Sequence, residues 1–324
     1  MTEARTRLSM PTVLIPLALL LPAVPVEAKQ PGKGPVKVFI LAGQSNMEGF
    51  GTVEGDRKGT LRSLLADPNT AERYKHLVDK DGKWVTRDDV WVWRFPDKNG
   101  ERKGKLTVGY GAKPAYIGPE YGFGLAVGEA LTNQVLLIKV AWGGKSLAKD
   151  FRPPSAGGQT GPFYTDLIRH VREVLANLKK HFPAYDGAGY EIAGFGWHQG
   201  WNDGCGWPAT REYEQNLIHF IGDVRKEFRR KDLPFVIANS GFAGWKQRVD
   251  RRLAILEAQA AAAKHFGPEG KVACVETRGF FRPYPSRHNY HWNFNGETQY
   301  LVGEAMGKAM VKLLGAGRAE GESK

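Results

Sequence analysis

Five short apolar runs constrain this chain more than any other feature: Val36 to Ala42, Val135 to Ala141, Ile192 to Trp197, Phe235 to Asn239 and Val272 to Glu276. Most lack the alternation of a strand with one wet face, so they read as strands covered on both sides in a parallel sheet. Helical spacing separates them. Leu167, Ile168, Val171, Val174, Leu175 and Leu178 recur at three and four residues, as do Tyr213, Leu217, Phe220, Ile221 and Val224. Further helices are predicted from Arg251 to Phe266 and from Gly296 to Leu314, the last with Asn295 as N-cap. Strands alternating with helices predict βαβ units and a three-layer α/β/α sandwich around a five-stranded, mostly parallel sheet.

Residues 51–117 interrupt this rhythm. They are dense in Gly, Lys, Arg and Asp, hold Trp84, Trp91, Trp93, Phe95, Tyr110 and Tyr116, and offer one edge strand from Val90 to Phe95. A connection this long is read as an insertion over one end of the sheet. With 324 residues, 42% of them hydrophobic, the chain has material for a sizeable core. Cys205 and Cys274 are too few for a disulfide-built scaffold and carry no CxxC pair for zinc.

Residues 1–28 differ from the rest. Arg5 and Arg7 precede an apolar run from Val13 to Leu21, and Val26-Glu27-Ala28 offers a small-x-small cleavage site. The run is too short to span a bilayer. Residues 1–28 are therefore expected to be a signal peptide and 29–324 a single exported domain, periplasmic or extracellular, without stable membrane insertion. The net charge of +12 is unaltered by that cleavage, because residues 1–28 hold two residues of each sign. Such a surplus suits anionic polymers. The basic residues are scattered, with only short runs such as Arg229-Arg230-Lys231, so nucleic acid is not the expected partner.

Four polar segments follow the strand ends. Gly43-Gln44-Ser45-Asn46-Met47 places a hydroxyl past the first strand, where open α/β sheets bind ligands; alone, such a serine is usually a helix cap. Gly143-Gly144-Lys145-Ser146 presents backbone donors without side chains in the way, as half of an oxyanion hole or as a plain tight turn. It is not a P-loop, because Lys139 stands where the first glycine is required. Gly200-Trp201-Asn202-Asp203 adds an amide donor in Asn202 and a loop brace in Asp203, and Trp197 and Trp201 offer flat faces for a sugar ring. His198 has no HxH or HxxxH partner and reads as a packed histidine. The segment Arg282 to Asn293 contains His288 and His291, either of which can reach back over the first strand as a base. Together the four supply a hydroxyl, backbone donors, an amide and an imidazole on one rim.

These blocks resemble the SGNH hydrolase superfamily, and within it the sialate O-acetylesterase and acetylxylan esterase group. Gly43 to Met47 is similar to the nucleophile block, Gly143-Gly144 to the glycine block, Gly200 to Asp203 to the GxND block, and Gly118 to Phe123 to a further segment of the group. The resemblance covers Val36 to Leu314. It implies a flavodoxin-like sandwich, no metal or other cofactor, Ser45 as nucleophile and His291 as base. It further implies an oxyanion hole from the amides of Ser45 and Gly143 or Gly144 with the Asn202 side chain, and substrate contacts from Gln44, Gln199, Trp201 and Glu120. The implied activity is removal of O-acetyl groups from an acetylated carbohydrate. Two features depart from the group: His288 occupies the slot of the usual DxxH acid, which leaves Glu276 as the first candidate to orient His291, and Trp201 stands where sialate members often carry Glu. A non-catalytic carbohydrate-binding protein on the same scaffold, or a lipase or thioesterase, are the competing readings.

Overall fold

The computed structural model describes residues 32–97, 100–288 and 290–316; the expected signal peptide lies outside them. Seven strands form the main sheet: β1 Gly32–Gly43, β2 Arg87–Asp97, β3 Gly100–Leu106, β4 Asn133–Ala141, β5 Tyr190–His198, β6 Phe235–Ala238 and β7 Val272–Val275. Their order is β3-β2-β4-β1-β5-β6-β7. All neighbours run parallel except β2 and β3, which pair antiparallel.

The sheet has two strands more than the five expected. The run around Val90 to Phe95 is an inner strand, bonded to β4 on one side and β3 on the other. The true edge, β3, reads Gly-Glu-Arg-Lys-Gly-Lys-Leu and carries no apolar pattern. Charged side chains on an edge strand discourage pairing with another chain, and they also hide the strand from a hydrophobicity reading.

Six helices matter for the site: α1 Ser45–Glu48, α2 Pro119–Ala130, α3 Pro162–Ala176, α4 Trp207–Glu227, α5 Asp250–His265 and α6 Gly296–Leu314. Alternate residues of β1 enter opposite cores. Val36, Val38, Ile40 and Ala42 meet α3, α4 and α5 through residues such as Val171, Phe220 and Ala262. Phe39 and Leu41 meet α2 and α6 through Phe123, Val302 and Met306. Both faces of the sheet are thus buried, which is why its strands read as unbroken apolar runs.

The helix predicted through Leu178 stops at Ala176, and a separate turn covers Leu178–His181. Asn295 caps α6 as expected, its side chain accepting from the Thr298 amide at 2.8 Å. No periodicity announces α2, whose residues are buried nearly all round. Glycines let it touch α6 backbone to backbone: a Cβ at Gly122 would lie 2.2 Å from the Tyr300 carbonyl oxygen, and one at Gly303 2.0 Å from that of Pro119. Cys205 and Cys274 are free thiols. Among the described residues no helix is long and apolar enough to cross a membrane.

Candidate functional site

At the carboxyl end of β1 the chain turns sharply at Gly43, where a Cβ would collide with the His198 carbonyl oxygen at 2.2 Å. Ser45 then opens α1, almost buried at 7% exposure, and its hydroxyl has no hydrogen-bond partner among the described residues. Lys139, a cation in the middle of apolar β4, anchors this turn from below. Its ammonium donates to the Glu48 carbonyl at 2.7 Å, the Tyr110 carbonyl at 2.9 Å and Glu120 Oε2 at 2.5 Å, so all three protons are used. Burial pulls the Lys139 pKa down to about 8, against the opposing pull of Glu120. Glu120 Oε1 also takes the Gly118 amide at 2.8 Å. The expectation that Glu120 contacts substrate is corrected: it is fully buried beneath the site and supports the serine turn.

The glycine loop lies beside the serine. A Cβ on Gly143 would sit 3.7 Å from that of Ser45. The Gly143 amide donates to Glu48 Oε1 at 3.1 Å, and burial raises the Glu48 pKa despite that bond and the charges of Arg94 and Lys139. The Gly144 amide has no acceptor among the described residues. Of the two glycines left open by the sequence, Gly144 presents the unoccupied donor.

The third loop is tied to both. Gln44 Oε1 accepts from the amides of Gly200 and Asn202, each at 3.2 Å. Asp203 accepts from the amides of Leu147 and Ala148 and from the Gln199 side chain, bracing this loop against the glycine loop. Burial pushes its pKa up to about 6, even against those donors. Gln199 is 1% exposed and spends both its amide nitrogen and its amide oxygen inside the protein, which corrects its expected role in substrate contact, whereas Gln44, equally buried, commits only its Oε1. Trp197 is likewise fully buried against Phe151 and Phe220 and offers no face to a ligand. Trp201 is half-buried, with Phe242 against its edge and the Arg252 guanidinium 3.9 Å above its ring. The Asn202 side chain makes no hydrogen bond among the described residues.

Over this rim comes the turn His291–Phe294. All four residues have positive φ, between 50° and 60°, a left-handed turn that costs about 1–2 kcal/mol per residue without glycine. Neighbours hold it in place. Asn293 Nδ2 donates to the Arg282 carbonyl at 2.8 Å, Thr52 Oγ1 to the Phe294 carbonyl at 3.0 Å, and Trp292 Nε1 to His198 Nε2 at 3.1 Å. His198 Nδ1 faces the Ala238 carbonyl at 3.1 Å, which can only accept, so those partners assign its proton to Nδ1. Burial drives the His198 pKa down to about 4 and keeps the ring neutral.

The turn packs against α1, which brings His291 to the side of the sheet where Ser45 stands. No hydrogen bond joins the two side chains; free enzymes often show such contacts loose. The His291 ring is stacked on Phe50, with centroids 3.9 Å apart and planes 8° apart. Burial lowers its pKa to about 4. Its Nδ1 is buried and has no partner among the described residues. Glu276, expected to orient it, does not reach it: both carboxylate oxygens are engaged by Arg278, at 2.8, 2.9 and 2.7 Å. His288 stacks on Tyr290 instead. Among the described residues no three His, Cys, Asp or Glu side chains gather as a metal would require.

Sequence reasoning passed over Lys139 as a structural element of the site, although a lone cation inside an apolar strand is a visible signal. Phe50 carried no signal at all, because its part depends on a partner 241 positions away in the chain.

Residues 35–312 match the family model described as carbohydrate esterase, sialic acid-specific acetylesterase. No curated protein matches in sequence. Two solved structures share the fold. A protein from Arabidopsis thaliana is 18% identical with a TM-score of 0.53, covering 86% of this chain and 98% of its own. A carbohydrate acetylesterase from Xanthomonas citri is 13% identical with a TM-score of 0.56, covering 86% of this chain and 56% of its own.

Proposed function

The chain belongs to the carbohydrate esterase, sialic acid-specific acetylesterase family, and from that premise we propose that it is an exported serine esterase that removes O-acetyl groups from carbohydrate. One observation carries the reading: the glycine loop lies against the serine, a Cβ placed on Gly143 falling 3.7 Å from that of Ser45, on a rim that also holds Asn202 and His291. In this reading His291 Nε2 takes the proton of Ser45 as its oxygen attacks the acetyl carbonyl. The resulting oxyanion is met by the amides of Ser45 and Gly144 and by Asn202 Nδ2. The sugar oxygen leaves with the proton from His291, and water repeats the cycle on the acetyl-enzyme. Gly143 can join the oxyanion hole only after the Glu48 carboxylate leaves its amide, since an anion there opposes the charge that develops. Of the two tryptophans expected to meet a sugar, Trp201, with Arg252 on one face, is the one that is not fully buried.

Acetate release from aryl acetates and from acetylated polysaccharides tests the activity. Ser45→Ala should lower turnover by at least about 1000-fold, as removal of a nucleophile does; unaltered turnover ends the proposal. The unpartnered Nδ1 of His291 favours one rival, a carbohydrate-binding protein that has lost catalysis. Labelling of Ser45 by a fluorophosphonate excludes that rival, and an inert serine supports it.

A further inference from the structure

Phe50 is not part of any motif, yet its place in the structure is unusual. It follows directly on Gly49, whose amide closes α1 by donating to the Ser45 carbonyl at 3.0 Å, and the Gly49 carbonyl is in turn fixed by the Ala112 amide at 2.7 Å. The segment that carries the serine therefore also carries the ring against which His291 lies flat. Tyr116 and Phe294 support that ring, with centroids 5.9 and 5.7 Å away. Phe294 and Tyr290 close on His291 edge-on, at 5.6 and 5.0 Å with planes near perpendicular. The imidazole thus sits in an aromatic clamp, while the nitrogen that an acid would ordinarily hold has no partner among the described residues.

Resting on the hydrolase reading above, we propose that Phe50 is the positioning residue for His291, its ring face doing the orienting work that a carboxylate does in a serine-histidine-acid triad. The stack fixes the plane of the neutral imidazole on the side of the sheet where Ser45 stands. When His291 takes the serine proton, the imidazolium forms 3.9 Å above the π face, which attracts a cation. A buried cation with neither carboxylate nor ring would be costly. Because the plate and the nucleophile share one short rigid segment, their spacing is set by local backbone rather than by a distant loop.

Three proteins test this: the wild-type chain, Phe50→Leu, which keeps apolar bulk but removes the face, and Phe50→Tyr, which keeps the face. The expected result is a fall in kcat of about 100-fold for Phe50→Leu, the scale of a small misplacement of a catalytic group, with KM little changed and Phe50→Tyr close to wild type. If Phe50→Leu matches wild type, or if Phe50→Tyr falls as far as Phe50→Leu, the proposal is overturned, because bulk alone then explains the contact. Should Phe50→Leu fail to fold, NMR of the wild type decides: ring protons of His291 shifted upfield by the Phe50 ring support the stack, and ordinary positions overturn it. A wild-type chain that neither releases acetate nor labels at Ser45 overturns the hydrolase reading and this inference with it. Full activity with an indifferent Phe50→Leu overturns the inference alone.

Discussion

The serine side of the site is held by hydrogen bonds to buried charges, whereas the histidine side is held by aromatic rings and by hydrogen bonds between uncharged groups. Beneath Ser45, Lys139 spends every proton on a fixed acceptor and Glu120 answers its charge; across the rim, Asp203 collects three backbone and side-chain donors. Over the rim, His291 has Phe50, Phe294 and Tyr290 as neighbours and no acceptor for Nδ1 among the described residues. The first construction is specific and brittle, because removing one member strands another without a partner. The second spreads its hold over many weak contacts, so the loss of any one of them costs less stability even where it misplaces the imidazole.

That contrast is broken most severely at Glu120. Replacing it by Ala leaves the Lys139 ammonium buried without its counter-charge, and loss of one member of such a pair costs about 3–5 kcal/mol. Urea unfolding of Glu120→Ala should show a drop of that size; a loss below about 1 kcal/mol would mean that the pair is not what holds the serine turn.

Asn202 separates chemistry from scaffolding. Its backbone amide is tied to Gln44, but its side chain is uncommitted among the described residues. Asn202→Ala should therefore keep the wild-type melting temperature while kcat falls about 100- to 1000-fold. A folded variant with full turnover would remove Asn202 from the oxyanion hole.

On the aromatic side the corresponding change is gentler. Trp292→Phe keeps the ring but strands His198 Nε2, a buried acceptor, at a cost of about 1–3 kcal/mol. Since Trp292 sits inside the left-handed turn that presents His291, kcat should fall as well, measured at a temperature where the variant remains folded. Lost stability with unaltered kcat would show that the turn does not depend on this bond.

The same division explains what the sequence made legible. The five apolar runs and the loops after them are local patterns, set by burial on both faces and by backbone geometry at strand ends, and they lie where they were expected. The strand Gly100–Leu106 escaped because an edge needs no apolar face, and the helix Pro119–Ala130 because burial nearly all round erases periodicity. Inside the site, hydrogen-bonding residue types drew attention whether or not they face a ligand; Gln199 and Glu120 proved to be internal partners. The DxxH spacing leads to His288 rather than to an acid, and Glu276, the first substitute, is taken by Arg278 two residues on, a local contact that the resemblance does not encode. Phe50 was unreadable for the opposite reason: an aromatic residue in a loop looks the same whether it fills space or holds an imidazole.

The smallest expected effect is a pH dependence that stays flat where an ordinary histidine would bend. Burial holds His291 near 4 rather than 6.5, so the neutral base persists as the solution is acidified through the usual imidazole range. Between pH 7 and 5.5, kcat/KM should change by less than about twofold, where an unperturbed imidazole would lose about tenfold. Stability moves differently. The unfolded chain binds protons on His198 and His291 near 6.5 while the folded chain resists until about 4. Between those values the unfolded state holds more protons on these two residues, so their contribution to stability falls as pH drops through that window and is fully present above it, offset in part by Asp203, whose raised pKa makes the folded state take up its proton first. Measuring both from pH 7 down to 4 separates the two: activity per folded molecule should hold while the unfolding free energy declines. An acid limb centred near 6.5 would mean that the aromatic clamp opens in solution and that the histidine side is looser than its packing indicates.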